Sequence, residues 1–170
     1  MRRKGLIIAF VLGGFCGGAI ALADSDKSDS EFAHKAAAGG MAEVKLSKLA
    51  IDKSSSSEVK TFARKMVADH TKANMQLKKV AAKQSLTLPT TMDDEHQRAY
   101  DKLVSLTGDE FDKQYMKTMT DDHDDTVKLF KDETQNGKDD ELKQFAIRTL
   151  PIIEKHDNLA HKDDVTIEKK

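Results

Sequence analysis

The chain has 170 residues, two prolines, no tryptophan and 34% charged residues, a composition that suits one helical domain better than several. Its formal net charge is −1, and the basic residues 2–4 leave the remainder mildly acidic. A mildly acidic chain without a basic stripe argues against nucleic acid as a partner.

The first 23 residues have the pattern of a secretory signal peptide. Basic residues 2–4 precede an apolar run over residues 6–22, and Ala21 and Ala23 form the small-x-small pattern of a cleavage site before Asp24. The alternative is a retained membrane anchor, but the run is at the lower limit of spanning length and rich in glycine. We therefore predict a periplasmic or otherwise exported protein with no stable membrane span after signal cleavage.

The only cysteine, Cys16, lies within this predicted signal. Phe15 precedes it where a lipoprotein signal normally has a small residue, so lipidation is disfavoured. Cleavage after Ala23 leaves a chain without cysteine, which excludes disulfides, thiolate catalysis and zinc–thiolate sites.

The residues after the signal predict one helical domain. A short charged leader over 24–30 is expected to be mobile, a bundle domain spans 31–161, and a charged tail over 162–170 is expected to fray. Within the domain, apolar periodicity and turn signals predict five helices, over residues 31–53, 57–84, 94–106, 109–135 and 139–161.

The connections between these helices predict the architecture. Short turns join the first helix to the second and the fourth to the fifth, so each pair should form an antiparallel hairpin. A long crossover, residues 85–108, joins the hairpins and carries the short third helix. This arrangement is typical of an all-α, ferritin-like four-helix bundle.

Two local features interrupt the helical pattern. Gly39 and Gly40 lie inside the first helix, where a close approach of a neighbouring backbone would explain them. Pro151 lies inside the last helix and should kink it near Ile147, because proline removes one helical hydrogen bond.

Each long helix carries one polar residue in its apolar seam: Glu43, His70, His123 and His156. A carboxylate and imidazoles that point into a bundle core are ligands for a divalent transition-metal ion. Asp69 and Asp122 precede two of these histidines and are further candidates, either as ligands or as acceptors that orient a ring. Counting residues from the turns places Glu43 and His70 at one level, and His156 about one turn from His123.

Two other interpretations remain open. A buried histidine is often a structural residue that is hydrogen-bonded to a carboxylate, here Glu43, Asp69 or Asp122. Met66 and Met119 each lie one turn before a seam histidine, a combination that suits monovalent copper or silver, although methionine more often fills gaps in a core.

Several stretches resemble the bacterial family called domain of unknown function 4142, over about Glu31 to Ala160. The stretches that carry the resemblance are Ala36–Glu43, Glu58–Ala63, Met66–Asn74, Phe111–Met116, Asp122–His123 and Thr149–Pro151 with His156.

The resemblance implies an exported, ferritin-like protein, and no activity is established for the family as a class. Its pattern falls on Glu43, Asp69, His70, His96, Asp122, His123 and His156. His34 and His161 lie outside it. Ferritin-like iron enzymes usually carry two Glu-x-x-His pairs, whereas this chain has only Glu31–His34, at the wrong place, which argues against a standard di-iron or di-manganese centre.

The sequence therefore supports two functional hypotheses and leaves open whether the protein is an enzyme. The first is metal binding, or metal-dependent redox protection against stress in the envelope, through Glu43, His70, His123 and His156 with Asp69 and Asp122. The second is a non-enzymatic structural or interaction protein whose core histidines are only hydrogen-bonded. We expect a monomer or weak dimer, and the sequence identifies no protein partner.

Overall fold

The computed structural model describes residues 19–168, with side chains described for residues 28–164, 166 and 167. The predicted signal peptide therefore lies mostly outside the described residues. Five helices make up this part of the chain: α1 (Ala19–Lys53), α2 (Ser57–Lys83), α3 (Asp94–Ser105), α4 (Gly108–Asn136) and α5 (Asp140–Glu168). Within the described range, none of them combines the length and apolar content needed to cross a bilayer.

The four long helices form a bundle of two hairpins. Helix α1 packs against α2 and α4, and α5 packs against α4 and α2, so each long helix has two neighbours around a common axis. Helix α3 lies in the crossover and packs on the outside against α1 and α4. The structure confirms the predicted all-α, ferritin-like four-helix bundle with an extra helix in its crossover.

Local capping groups fix the helix ends. The hydroxyl of Ser56 accepts from the backbone N–H of Val59 at the start of α2, 3.3 Å away. The carboxylate of Asp93 accepts from the N–H of His96 at the start of α3, 3.0 Å away. Such caps satisfy backbone donors that have no partner inside the helix.

Both expected ends of the domain differ from the prediction. Residues 24–30 are part of α1, where buried Asp29 accepts from the backbone N–H groups of Lys138 and Asp139 at 3.0 and 2.6 Å. Helix α5 continues beyond His161 to Glu168, and Ile167 packs into the core. Tertiary contacts therefore order segments whose own composition gives no apolar period.

The buried stripe of α5 also differs by one residue. The spacing of Phe145, Thr149 and His156 in the sequence predicts Ile152 as the apolar residue between them, but Ile152 is exposed and Ile153 is buried. Between Thr149 and His156, Ile152 gives steps of three and four residues and Ile153 gives steps of four and three. Both spacings are helical, so periodicity alone does not choose between the two isoleucines.

The apolar core has two parts, one toward each end of the bundle. The part that includes the end of α1 contains Ala42, Leu46, Ala50, Val59, Phe62, Ala63, Met66, Leu103, Phe111, Tyr115, Met116, Met119, Ala160 and Ile167. The part that includes the start of α5 contains Phe32, Ala33, Ala37, Leu77, Val80, Phe130, Leu142, Phe145, Ala146 and Ile153. On α2, α4 and α5, a histidine lies in the sequence between the residues of the two parts.

The two glycines of α1 have different surroundings. A Cβ at Gly40 would collide with the side-chain amide of Asn74 on α2, whereas a Cβ at Gly39 would meet nothing within 4 Å. The expected close approach is therefore correct for Gly40 only, and its partner is a side chain and not a backbone.

This difference predicts opposite effects for one substitution. Gly39→Ala should raise the free energy of unfolding by about 0.5–1 kcal/mol, because alanine costs less backbone entropy in a helix. Gly40→Ala should give no gain or a net loss, since Asn74 must move, and adding Asn74→Ala should recover the gain. Urea unfolding of the four proteins checks this, and equal gains from both single variants would contradict it.

Candidate metal centre

A polar layer crosses the bundle between the two parts of the core. It consists of Glu43 from α1, His70 from α2, His123 from α4 and His156 from α5. All four side chains are buried, and His123 and His156 are completely inaccessible to solvent. The seam interruptions read from the sequence therefore meet inside the bundle.

The three imidazoles, called here the histidine triad, lie close together. Their ring centroids are 5.6 Å apart for His70 and His123, 5.2 Å for His70 and His156, and 5.7 Å for His123 and His156. One potential ligand atom from each ring lies within 4.8 Å of the other two. His156 thus shares the level of His123, and the expected offset of one turn is wrong.

Each ring has one nitrogen held by a carboxyl or carbonyl group on its outer side. Nδ1 of His70 lies 2.5 Å from Oε2 of Glu43, and Nε2 of His156 lies 2.9 Å from Oδ2 of Asp69. Nδ1 of His123 donates to the backbone carbonyl of Met119, 2.8 Å away. Histidines that bind metals in proteins typically show this pattern, with the second nitrogen bonded to a carboxylate or carbonyl.

The remaining ring nitrogens of His70 and His156 face inward, toward each other. Nε2 of His70 and Nδ1 of His156 are 3.2 Å apart and share a hydrogen bond. Nε2 of His123 is buried and has no hydrogen-bond partner within residues 28–167. Since its Nδ1 carries the proton donated to Met119, this nitrogen presents a lone pair. The described structure therefore provides no hydrogen-bond donor for this buried acceptor, although buried polar atoms in proteins nearly always have a partner.

Burial keeps two of the three rings, His70 and His156, uncharged at neutral pH. It lowers the pKa of His70 to about 4 and that of His156 to about 4, the latter with a contribution from the neighbouring His70. Neutral imidazole is the form that binds metal ions, so these rings need not lose a charge to become ligands.

Glu43 and Asp122 meet behind the triad. Burial raises the pKa of Glu43 to about 8, the interaction with His123 opposes this rise, and the nearby Asp122 adds to it. Oε1 of Glu43 lies 3.4 Å from Nδ1 of His123 but forms no hydrogen bond with a described side chain, and Oδ2 of Asp122 is likewise buried without one. A proton on Glu43 reduces the repulsion between these two carboxyl groups.

Asp122 forms a hydrogen bond with a histidine outside the triad. Nε2 of His96 lies 3.1 Å from Oδ1 of Asp122, and Nδ1 of His96 lies 2.8 Å from the carboxylate of Asp93. Hydrogen bonding to Asp122 raises the pKa of His96 to about 9, despite partial burial, and Asp93 adds to the effect. The cation of His96 thus ties the crossover helix to α4.

The predicted site residues therefore separate into two groups. The structure brings together Glu43 and the triad, and it places Asp69 against His156 and not against its own chain neighbour His70. Asp122 contacts His96, which was not among the candidate ligands, and the Met119 carbonyl is a backbone group that sequence patterns do not reveal. The position of Asp93, three residues before His96, was the one local sequence signal for the contact between these two residues.

The sequence model of one family, described as Domain of unknown function (DUF4142), matches residues 18–162. The chain belongs to the DUF4142 family. No curated protein matches it.

Two solved structures share the fold of this DUF4142 chain. A candidate secreted protein, DUF305, from Streptomyces coelicolor has a TM-score of 0.70 and 17% identity, covering 83% of this chain and 92% of its own. A DUF305 fragment from Deinococcus radiodurans has a TM-score of 0.72 and 11% identity, covering 84% and 97%. At these identities the likeness concerns the fold alone.

Two spaces adjoin the triad of the DUF4142 chain. A cleft of about 180 Å³ between α2 and α5 is lined by His70, His156 and Asp69, among others. A void of about 30 Å³ lies beside Glu43 and His70, enough for about one water molecule. The cleft is a route by which a small ion could reach two of the three rings from the surface.

Proposed function

We propose that this DUF4142 protein is an exported protein that binds a first-row transition-metal ion through His70, His123 and His156. The observation that carries the proposal is Nε2 of His123, which is buried, has no partner among the described residues, and belongs to a ring beside two further imidazoles. Export is supported by the signal pattern of residues 1–23 and by the likeness to a candidate secreted protein.

The chemistry of the donors favours zinc or divalent copper. Imidazole nitrogens suit these ions, whereas calcium and magnesium prefer oxygen. Tetrahedral zinc with Zn–N bonds of about 2.0–2.1 Å requires nitrogens about 3.3 Å apart. The inward nitrogens of His70 and His156 already have this spacing, at 3.2 Å. Three protein ligands leave a fourth position open, as in many catalytic zinc sites.

In this proposal the carboxylates orient the rings and do not bind the ion. Glu43 holds His70 and Asp69 holds His156 on their outer nitrogens. Binding of the ion releases the proton that His70 and His156 share, so affinity should rise with pH. Asp69 thus takes the second of the two roles expected for it, as an acceptor that orients a ring, whereas Asp122 contacts His96 and Glu43 was expected to be a ligand.

Replacing His123 tests the proposal most directly. The His123→Leu variant should bind zinc at the triad at least about 100-fold more weakly, because it loses a ligand and not merely an outer partner, whose loss alone costs about 10–100-fold. Calorimetric titration of the metal-free, tag-free chain measures this, with circular dichroism to show that the variant is folded.

The matched control is His34→Ala, which removes an exposed histidine of α1 and should leave the affinity unchanged. Equal affinities for wild type and His123→Leu, or no binding by either, would contradict the proposal.

The structural hypothesis has one observation in its favour. Glu43, His70, His156 and Asp69 form a continuous chain of short contacts, 2.5, 3.2 and 2.9 Å long, that can be satisfied without an ion. This chain does not include Nε2 of His123. Metal binding therefore gives Nε2 of His123 a partner, whereas the structural hypothesis leaves this nitrogen without one.

A further inference from the structure

A second group of metal-binding side chains lies on the surface of the α4–α5 hairpin. Within the described residues, two groups of three side chains bring potential ligand atoms within 4.8 Å of one another. One is the histidine triad. The other, called here the outer cluster, consists of Asp124, Asp157 and His161.

The outer cluster is built by helical spacing. Asp124 and Asp157 directly follow the triad residues His123 and His156, so a rotation of about 100° per residue turns them away from the bundle axis. His161 lies one turn after Asp157 on the same face of α5. Nε2 of His161 is 3.2 Å from Oδ1 of Asp124 and 3.5 Å from Oδ1 of Asp157.

The charges of the cluster are only partly compensated. Among the described side chains, no lysine or arginine forms an ion pair with Asp124 or Asp157, although neighbouring Asp125 and Glu154 pair with Lys128 and Lys131. Oδ1 of Asp157 is shielded from solvent and lacks a hydrogen-bond partner in this part of the chain. A shielded carboxylate oxygen beside a second carboxylate is stabilised by a cation.

We propose that Asp124, Asp157 and His161 bind a second divalent transition-metal ion at the surface of the hairpin. One imidazole nitrogen and two carboxylate oxygens form a mixed donor set of the kind that zinc, manganese and iron accept. The ion replaces the proton between His161 and the two aspartates and links α4 to α5. The site is separate from the triad, because it uses other side chains and faces solvent.

Stoichiometry tests the outer site independently of the triad. Titration of the tag-free, metal-free chain with zinc should show two ions per chain, the weaker at the outer cluster. His161→Ala and Asp124→Asn should weaken that second event by more than about tenfold and leave the tighter one unchanged. Both side chains are about half exposed, so the fold should tolerate the changes.

Two variants serve as controls. His34→Ala removes an exposed histidine outside both groups and should still bind two ions, and His123→Leu should keep only the outer one. The proposal is overturned if His161→Ala binds zinc with the same stoichiometry and affinities as His34→Ala. A wild type that binds one ion, lost in His161→Ala but not in His123→Leu, would support the outer site and contradict the triad.

Discussion

Raising the pH from 6.5 to 9 is expected to destabilise the metal-free protein by several kcal/mol. Three buried or half-buried groups bind a proton more tightly in the folded state: Glu43, with a pKa of about 8, Glu133, with a pKa of about 7, and His96, with a pKa of about 9. The cause for Glu43 and Glu133 is burial, and for His96 it is the hydrogen bond to Asp122.

The sign follows from proton binding. At pH 6.5 the unfolded chain has released the protons of both glutamates and about half of that of His96, and it releases the rest within about one pH unit, whereas the folded protein keeps each proton until the pH passes its own raised pKa. Stability therefore falls with rising pH, by about 1.4 kcal/mol per group and pH unit, with an upper limit of about 6 kcal/mol at pH 9.

Below pH 6.5 two histidines act on the stability in the opposite direction. The pKa values of His70 and His156 are lowered to about 4 by burial, so these rings contribute stability that is lost as the pH falls from 6.5 to 4. Their contribution opposes that of the two glutamates over the same range. The metal-free protein should consequently be most stable at mildly acidic pH.

Urea unfolding at pH 4.5, 6.5, 8 and 9 in the presence of a chelator measures this dependence. Glu133→Gln should gain up to about 3 kcal/mol over wild type at pH 8 and almost nothing at pH 4.5, because the amide avoids ionisation in the core. Glu31→Gln removes an exposed carboxylate paired with Lys35, and should change stability little at any pH. A stability that is constant between pH 6.5 and 9 would contradict the assigned protonation states.

The membership of the polar layer could be anticipated from the sequence because each polar residue interrupts an apolar seam, but the level of His156 could not. Glu43, His70 and His123 must face the axis if their helices pack at all. The sequence could not show that Asp69 holds the ring of α5, because the order of helices around the axis is a tertiary property. For the same reason Asp29, in a segment without apolar period, was not expected to cap the α4–α5 turn.

The same substitution at two triad positions should have opposite effects on stability. His70→Leu breaks the chain between Glu43 and His156 and removes the partner of Oε2 of Glu43 and of Nδ1 of His156. Breaking a buried polar network on one side costs about 2–4 kcal/mol. His123→Leu removes a nitrogen that has no partner among residues 28–167, and should be neutral or stabilising by about 1 kcal/mol.

The carbonyl of Met119 loses little in His123→Leu, since it also accepts within α4, and the contact of Nδ1 with Oε1 of Glu43, at 3.4 Å, is long for a hydrogen bond. His123→Leu should therefore give a protein at least as stable as wild type that no longer binds zinc at the triad. A histidine that is present although it does not stabilise the fold is expected to be a ligand. Replacing a structural histidine would instead lower the stability. Urea unfolding of the metal-free proteins decides between them: equal losses of stability in His70→Leu and His123→Leu would favour the structural role, and opposite signs would favour the metal centre.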